Sequence, residues 1–141
     1  AQIMSEENKA SFKRFIDEVV NNKNLAVIDE LIDPDLFDHN AAPDAPPGIE
    51  VMKQFMSAFV AAFPDLHSTL EDLVAEGDLV AGRMTTTGTH QGEFMGIPAT
   101  NKKVTFSETH IVRISNGKAV DHWGISDNLS LMQQLGVIPS E

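Results

Sequence analysis

The sequence predicts an α+β fold, and three of its features lead there. Apolar residues recur at helical spacing through the first half, whereas from Leu66 onward they alternate with polar ones. The alternating segments are joined by short turns, which favours antiparallel neighbours over a parallel sheet. Helices first and strands afterwards is the order of an α+β domain.

Phe12, Phe15, Ile16, Val19 and Val20 share one face, with Lys13, Arg14, Asp17 and Glu18 opposite. This predicts an amphipathic helix to about Val20, with Ser5 as N-cap and Asn21-Asn22-Lys23-Asn24 as its end. Leu25, Ile28, Leu31 and Ile32 give a second, shorter helix, capped by Asn24 and stopped before Pro34. Residues 33–48 read as a loop holding one short strand at 36–40. A third helix follows over 48–63, its Met52, Phe55, Met56, Phe59 and Phe63 forming one broad stripe closed by Pro64. Such a stripe serves as core packing or as ligand contact.

Four strands are expected over 66–75, 79–90, 103–114 and 118–125, rich in Val, Ile, Thr and Phe. Ser115-Asn116-Gly117 between the last two is a hairpin signal, because Asn and Gly tolerate positive φ. A closing helix from about Asp127, with Leu129, Leu131, Met132 and Leu135, ends at Gly136. Three helices of this character all find partners only by packing on one face of the sheet. A strongly twisted sheet then curls round them into a cone, and concave mouths of that kind hold small ligands. Ala1-Gln2-Ile3 before Met4 is set aside, which leaves one domain over 4–141.

Composition narrows the function. Hydrophobic residues make up 42% and charged residues 22%, values of a globular chain rather than a disordered or membrane one. A formal charge of −11 opposes binding to nucleic acid or to anionic membranes. There is no cysteine, so disulfides, thiolate metal sites and a Cys nucleophile are excluded, and a cytoplasmic setting is expected. The five histidines show no metal-binding spacing, and no phosphate loop, nucleophile elbow or dinucleotide fingerprint occurs. No metal and no cofactor are expected. A small neutral or apolar ligand is the expected partner.

Strand parity selects the chemistry. His110 is in phase with Phe106, Val112 and Ile114, and Glu108 shares that face as either a partner that orients the imidazole or a rim ion pair. His122 is in phase with Val120 and Gly124, so it is either a general base in an apolar wall or a core histidine bonded to a carbonyl. Asp127 either brings a carboxylate to the pocket mouth or caps the closing helix. His39 is a pocket polar group or a loop anchor; Arg83 is a cation for an oxyanion or part of an ion pair. Trp123, of opposite parity to His122, belongs to an interface, the core or a stacking platform. Segment 92–101, with Phe94, Met95 and Ile97 between glycines, reads as a flap or as interface packing.

Gly88-Thr89-His90-Gln91-Gly92-Glu93-Phe94-Met95-Gly96-Ile97-Pro98, Val104-Thr105-Phe106, Gly117-Lys118-Ala119-Val120-Asp121-His122-Trp123 and Gln134-Leu135-Gly136 together resemble the SnoaL-like polyketide (ester) cyclases. Phe63-Pro64-Asp65-Leu66-His67 and Asp38-His39-Asn40 fit the same pattern, so the resemblance runs from the first helix to Gly136. It implies the NTF2-like cone, a deep apolar pocket and homodimers or homotetramers. It also implies ring closure of a small carbonyl-containing ligand by intramolecular aldol condensation, without metal or cofactor, using an Asp as acid/base beside a His. The His falls on His110, and the Asp position falls on Gly124, where this chain departs from the pattern. The expected acid/base residues are therefore His122 and His110, assisted by Asp127 or His39, with Arg83, Phe106, Phe59, Trp123 and Gly124 as ligand contacts. Two alternatives accompany this reading. One is a non-catalytic binding domain that lost its base at Gly124; the other is an isomerase or dehydratase on the same fold.

Overall fold

The computed structural model describes residues 2–139. Helix α1 (Gln2–Arg14) runs directly into a π-helical turn over Phe15–Asn21, which buries Ile16, Val19 and Val20. Because α1 begins at Gln2, Ser5 lies inside the helix rather than capping it, and Gln2 and Ile3 belong to its first turn. A 3-10 turn at Leu25–Val27 leads into the short helix α2 (Ile28–Leu31).

Strand β1 (Ile32–Asp38) is longer than expected and starts earlier, at the foot of α2. Pro34 sits in the stretch between Ile32 and Phe37 where the pairing with β5 is interrupted, on an edge strand whose other side needs no partner. Helix α3 (Glu50–Ala62) follows, then β2 (His67–Glu76), β3 (Leu79–Thr89), β4 (Lys103–Ser115) and β5 (Lys118–Ser126), then α4 (Asn128–Leu135). All four later strands match the expected segments to within about one residue at each end.

The five strands form one sheet in the order β1-β5-β4-β3-β2. β2 through β5 make the antiparallel meander, and β1 pairs parallel with β5, bringing Asp38 opposite His122. Register shifts interrupt β2 between Leu70 and Asp72, and the β4–β5 pair at Arg113 and Ile114. Bulges of this kind bend a sheet and increase its twist. Asn116 (φ 52) and Gly117 (φ 78) both take left-handed backbone, as a two-residue hairpin turn requires.

The sheet face that packs on the helices carries Val80, Met84, Thr86, Val104, Phe106, Ile114 and Ala119, all buried. From the helices come Phe12, Ile16, Val19, Ile28, Met56, Phe59, Ala62 and Phe63, which join them in one apolar cluster. This is an α+β, NTF2-like arrangement, with a short C-terminal helix lying against β4. The interior is more filled than the cone expected from sequence. Phe12, Phe59, Met84 and Phe106 are each at most 8% exposed and occupy the space behind the inner face. Segment 92–101 also folds inward: Phe94 packs on Phe59 and Phe63 at centroid distances of 5.5 and 5.4 Å, leaving Met95 exposed at the tip.

Candidate active site

Alternation along β4 sends Glu108 and His110 to the inner face, and the antiparallel register sets Gly124 opposite His110 and His122 opposite Val112. The two imidazoles therefore meet across neighbouring strands. Nδ1 of His110 lies 2.9 Å from Nε2 of His122, with ring centroids 5.1 Å apart. Both side chains are 25% exposed, so the pair sits at the rim of the inner face, open on one side to solvent.

A carboxylate stands at each end of the pair. Asp38 Oδ1 accepts from Nδ1 of His122 at 3.1 Å, and Glu108 Oε1 lies 3.2 Å from Nε2 of His110. Thr86 donates its hydroxyl to Glu108 Oε2 at 2.5 Å, and Ser126 donates to Oε1 at 3.2 Å. Asn40 Oδ1 accepts from the backbone N–H of Gly124 at 2.6 Å, fastening the chain after β1 to β5.

These contacts set the charge states. Burial, together with the positive potential of His110, holds His122 below the usual imidazole range despite the Asp38 carboxylate. Burial opposes the charged form of Glu108, but hydrogen bonds from His110 and Thr86 outweigh it and leave its carboxyl below the usual range. His122 is accordingly a neutral imidazole and Glu108 an ionised carboxylate near neutral pH.

Gly124 has a steric role. A Cβ there would lie 2.6 Å from Nδ1 of His110 and 3.0 Å from Nε2 of His122, so only glycine lets the rings close over the strand. Gly82, the β3 partner of His110, is likewise bare because a Cβ there would collide with the Phe12 ring.

The remaining sequence candidates lie elsewhere. His39 has the opposite parity to Asp38 and faces the outer side of the sheet. There it stacks on Trp123 (centroids 4.3 Å apart, 8° between planes) and reaches Asp121 at 3.0 Å. Trp123 is therefore an outer-face residue, with the Arg113 guanidinium 5.9 Å from its ring. Arg83 also points outward, held by Asp72 at 2.7 Å, far from any oxyanion at the histidines. Asp127 is exposed and accepts from the N–H of Ser130 at 3.1 Å, the capping geometry. Phe59 and Phe106 lie in the core, 6.5 Å apart, in the packing role.

Asp38, Thr86 and Ser126 escaped the sequence reading. Alternation in 36–40 places Asp38, not His39, on the side of the buried Leu36. Thr86 and Ser126 gave no signal, since their importance comes from pairing across strands. Among the described residues, no group of three or more His, Asp or Glu side chains is placed to hold a metal ion.

Over 112 residues the chain is 29% identical to the aklanonic acid methyl ester cyclase DauD of Streptomyces sp. (strain C5), spanning 78% of this chain and 67% of that protein. The structure of TsrD from Streptomyces laurentii superposes with a TM-score of 0.86 at 30% identity, covering 94% of this chain and 97% of that one. IdmH of Streptomyces antibioticus, a polyketide cyclase candidate, gives 0.78 at 34% identity over 92% and 99%. With the family's own sequence model matching residues 10–135, the chain belongs to the SnoaL-like polyketide cyclases.

Proposed function

We propose that this chain closes a ring in a small polyketide-type ester by general acid–base catalysis, with His122 taking and returning the proton and His110 as the hydrogen-bond donor to the enolate. The observation that carries this reading is the 2.9 Å imidazole pair seated over Gly124. Asp38 fixes the tautomer of His122: with Nδ1–H committed to the carboxylate, Nε2 keeps its lone pair. Nε2 removes a proton from the activated carbon, and the electron pair moves into the adjacent carbonyl to give an enolate. The Nδ1–H of His110, which satisfies that lone pair at rest, instead bonds the enolate oxygen. The enolate carbon then attacks a second carbonyl of the same molecule, forming the C–C bond, and the new alkoxide takes back the proton from Nε2 of His122. Atoms and charge balance without metal or cofactor. DauD, a cyclase of a methyl ester, supports this substrate class.

Assay against a panel of cyclisable β-keto esters tests the assignment. His122→Gln and His110→Gln are each expected to lower kcat/KM by about 10²- to 10⁴-fold, the range for a positioned acid or base. Cyclisation that survives loss of both histidines would remove them from the mechanism.

We infer further that two copies pair across the outer face of the sheet. Phe37, Val74 and Ile125 are 62%, 64% and 76% exposed there, and Trp123 and Ile111 lie between them. An apolar surface spread over four strands is the kind that a partner covers.

A further inference from the structure

A hydrogen-bonded row runs along the inner face from Asp38 through His122, His110 and Glu108 to Thr86. It ends beside Phe106, the strand partner of Thr86, where the packing becomes aromatic. Phe106 lies 6.5 Å from Phe59, and Phe59 in turn lies 5.5 Å from Phe94. A substrate held at the histidines meets this aromatic region next along the face, and Phe94 already fills it.

The Phe94 ring occupies a slot for a flat group. It is stacked on Phe59 at 27° between planes, edge-on to Phe63 at 5.4 Å and edge-on to Phe55 at 6.4 Å. Phe94 is 6% exposed but Phe55 is 49% exposed, so the slot borders solvent on the Phe55 side. Stacked and edge-to-face are the arrangements that flat conjugated rings prefer, whatever molecule carries them.

The segment that carries Phe94 is weakly bound to the body. Its ends are pinned: the N–H groups of Gln91 and Gly92 donate to the Ala62 carbonyl, and the N–H of Thr100 donates to Nδ1 of His90. Among the described residues, the backbone of 93–99 makes two hydrogen bonds, both inside the turn that joins Phe94 to Ile97. Met95 (φ 50) and Gly96 (φ 79) form that turn. Phe12 and Phe59 stand on helices and Phe106 on the central strand, so displacing any of them disrupts backbone ladders. Swinging the Phe94–Ile97 turn outward breaks no backbone bond to the body, the mark of a segment that opens locally.

We infer that Phe94 is a displaceable plug and a specificity-determining residue of the site. The turn swings out, and a flat, conjugated ring of the substrate takes the place of the Phe94 side chain between Phe59 and Phe63. The reactive end of the same molecule then meets the histidines. Flat compounds are admitted because they repeat the contacts of the ring they displace; puckered ones of equal size are not. The closed form lowers apparent affinity in proportion to the fraction of molecules that are open. The inference rests on the acid–base reading above for the reactive end, yet occupancy of the slot is measured without catalysis.

The test uses 2-naphthol, a neutral flat bicyclic probe, and the full chain labelled with fluorophenylalanine for ¹⁹F NMR. Phe94→Leu, Phe59→Leu and Phe63→Leu assign the signals. On saturation the Phe94 signal is expected to move from a buried to a solvent-exposed position, with the Phe59 and Phe63 signals shifting alongside. Decahydro-2-naphthol, the same skeleton without flatness, is expected to bind about tenfold more weakly, the upper worth of aromatic packing. Phe94→Ala leaves the slot open and lowers Kd about fivefold, whereas Phe94→Trp fills it and raises Kd by about as much. A Phe94 signal that stays in place, equal binding of the two alcohols, or no binding of 2-naphthol up to its solubility overturns the inference. If Phe94→Ala does not fold, the ¹⁹F result on the unaltered sequence decides alone. Failure of the plug shows in the Phe94 signal, and failure of the acid–base reading shows in cyclisation that survives loss of both histidines.

Discussion

A Cβ at position 124 would stand 3.0 Å from the His122 ring and 2.6 Å from the His110 ring, the latter closer than real Cβ contacts come. The Asp that the resemblance implies at position 124 has no room here: His110 and His122 fill the space such a side chain would take. Gly124→Ala is expected to push the rings apart and reduce cyclisation toward the level of the single histidine variants. Gly124→Asp is expected to do no better, and a gain of activity in that variant would show that the site had merely lost its base. Stability should carry the mark of the same residues. The unfolded chain protonates His122 near pH 6.5, whereas the folded site resists the proton, so stability present above about pH 6.5 is lost as pH falls toward the lower folded value. Glu108 works in the acid range: its stabilisation is complete above about pH 4.5 and disappears as pH falls through its depressed folded value. Urea midpoints at pH 7.5 and 5.5 check the first statement, with a shallower slope expected for His122→Gln.

Among the elements, α4 shows how one residue type supports two readings. Asp127 stands at a strand end where a carboxylate can reach a site, and also where a helix begins. The structure gives it the N–H of Ser130, and the helix closes at Gly136 with φ 82. Asp127→Ala should cost about 1 kcal/mol of stability, the usual loss for a capping side chain, and leave the histidine pair in place; chemical denaturation measures it. Strand β1 decides more for the site than its length promises. By pairing parallel with β5 it brings Asp38 to His122, while His39 turns to the outer face with Trp123. At its start, the motif around Gly88 to Pro98 belongs to the fold instead. His90 is fully buried, bonded through Nδ1 to Thr100 and stacked 5.4 Å from Phe63.

For the whole molecule, the sheet has one face spent on the helices and one left open, where Phe37, Val74, Ile111 and Ile125 stand among the Arg83–Asp72 and Arg113–Asp121 ion pairs. Pairing across the open face predicts a dimer by light scattering, and Ile125→Asp should give monomers with the histidine row unaltered; a monomeric unaltered chain would contradict the pairing. No helix among the described residues is long and apolar enough to cross a membrane. The local pattern determined the α+β order, four of the five strands, the Asn-Gly hairpin and the convergence of His110 and His122, because alternation and turn chemistry act between near neighbours in sequence. It could not choose which face would be inner, since both carry apolar residues. Only tertiary packing did so, when helices α1 and α3 covered the face bearing Phe106 and His110. That choice sent His39, Arg83 and Trp123 outward, filled the cone with Phe12, Phe59 and Phe106, and added Asp38 and Thr86 to the row. Contacts between residues 84 and 22 positions apart in the chain come from strand pairing, and no local period encodes a pairing.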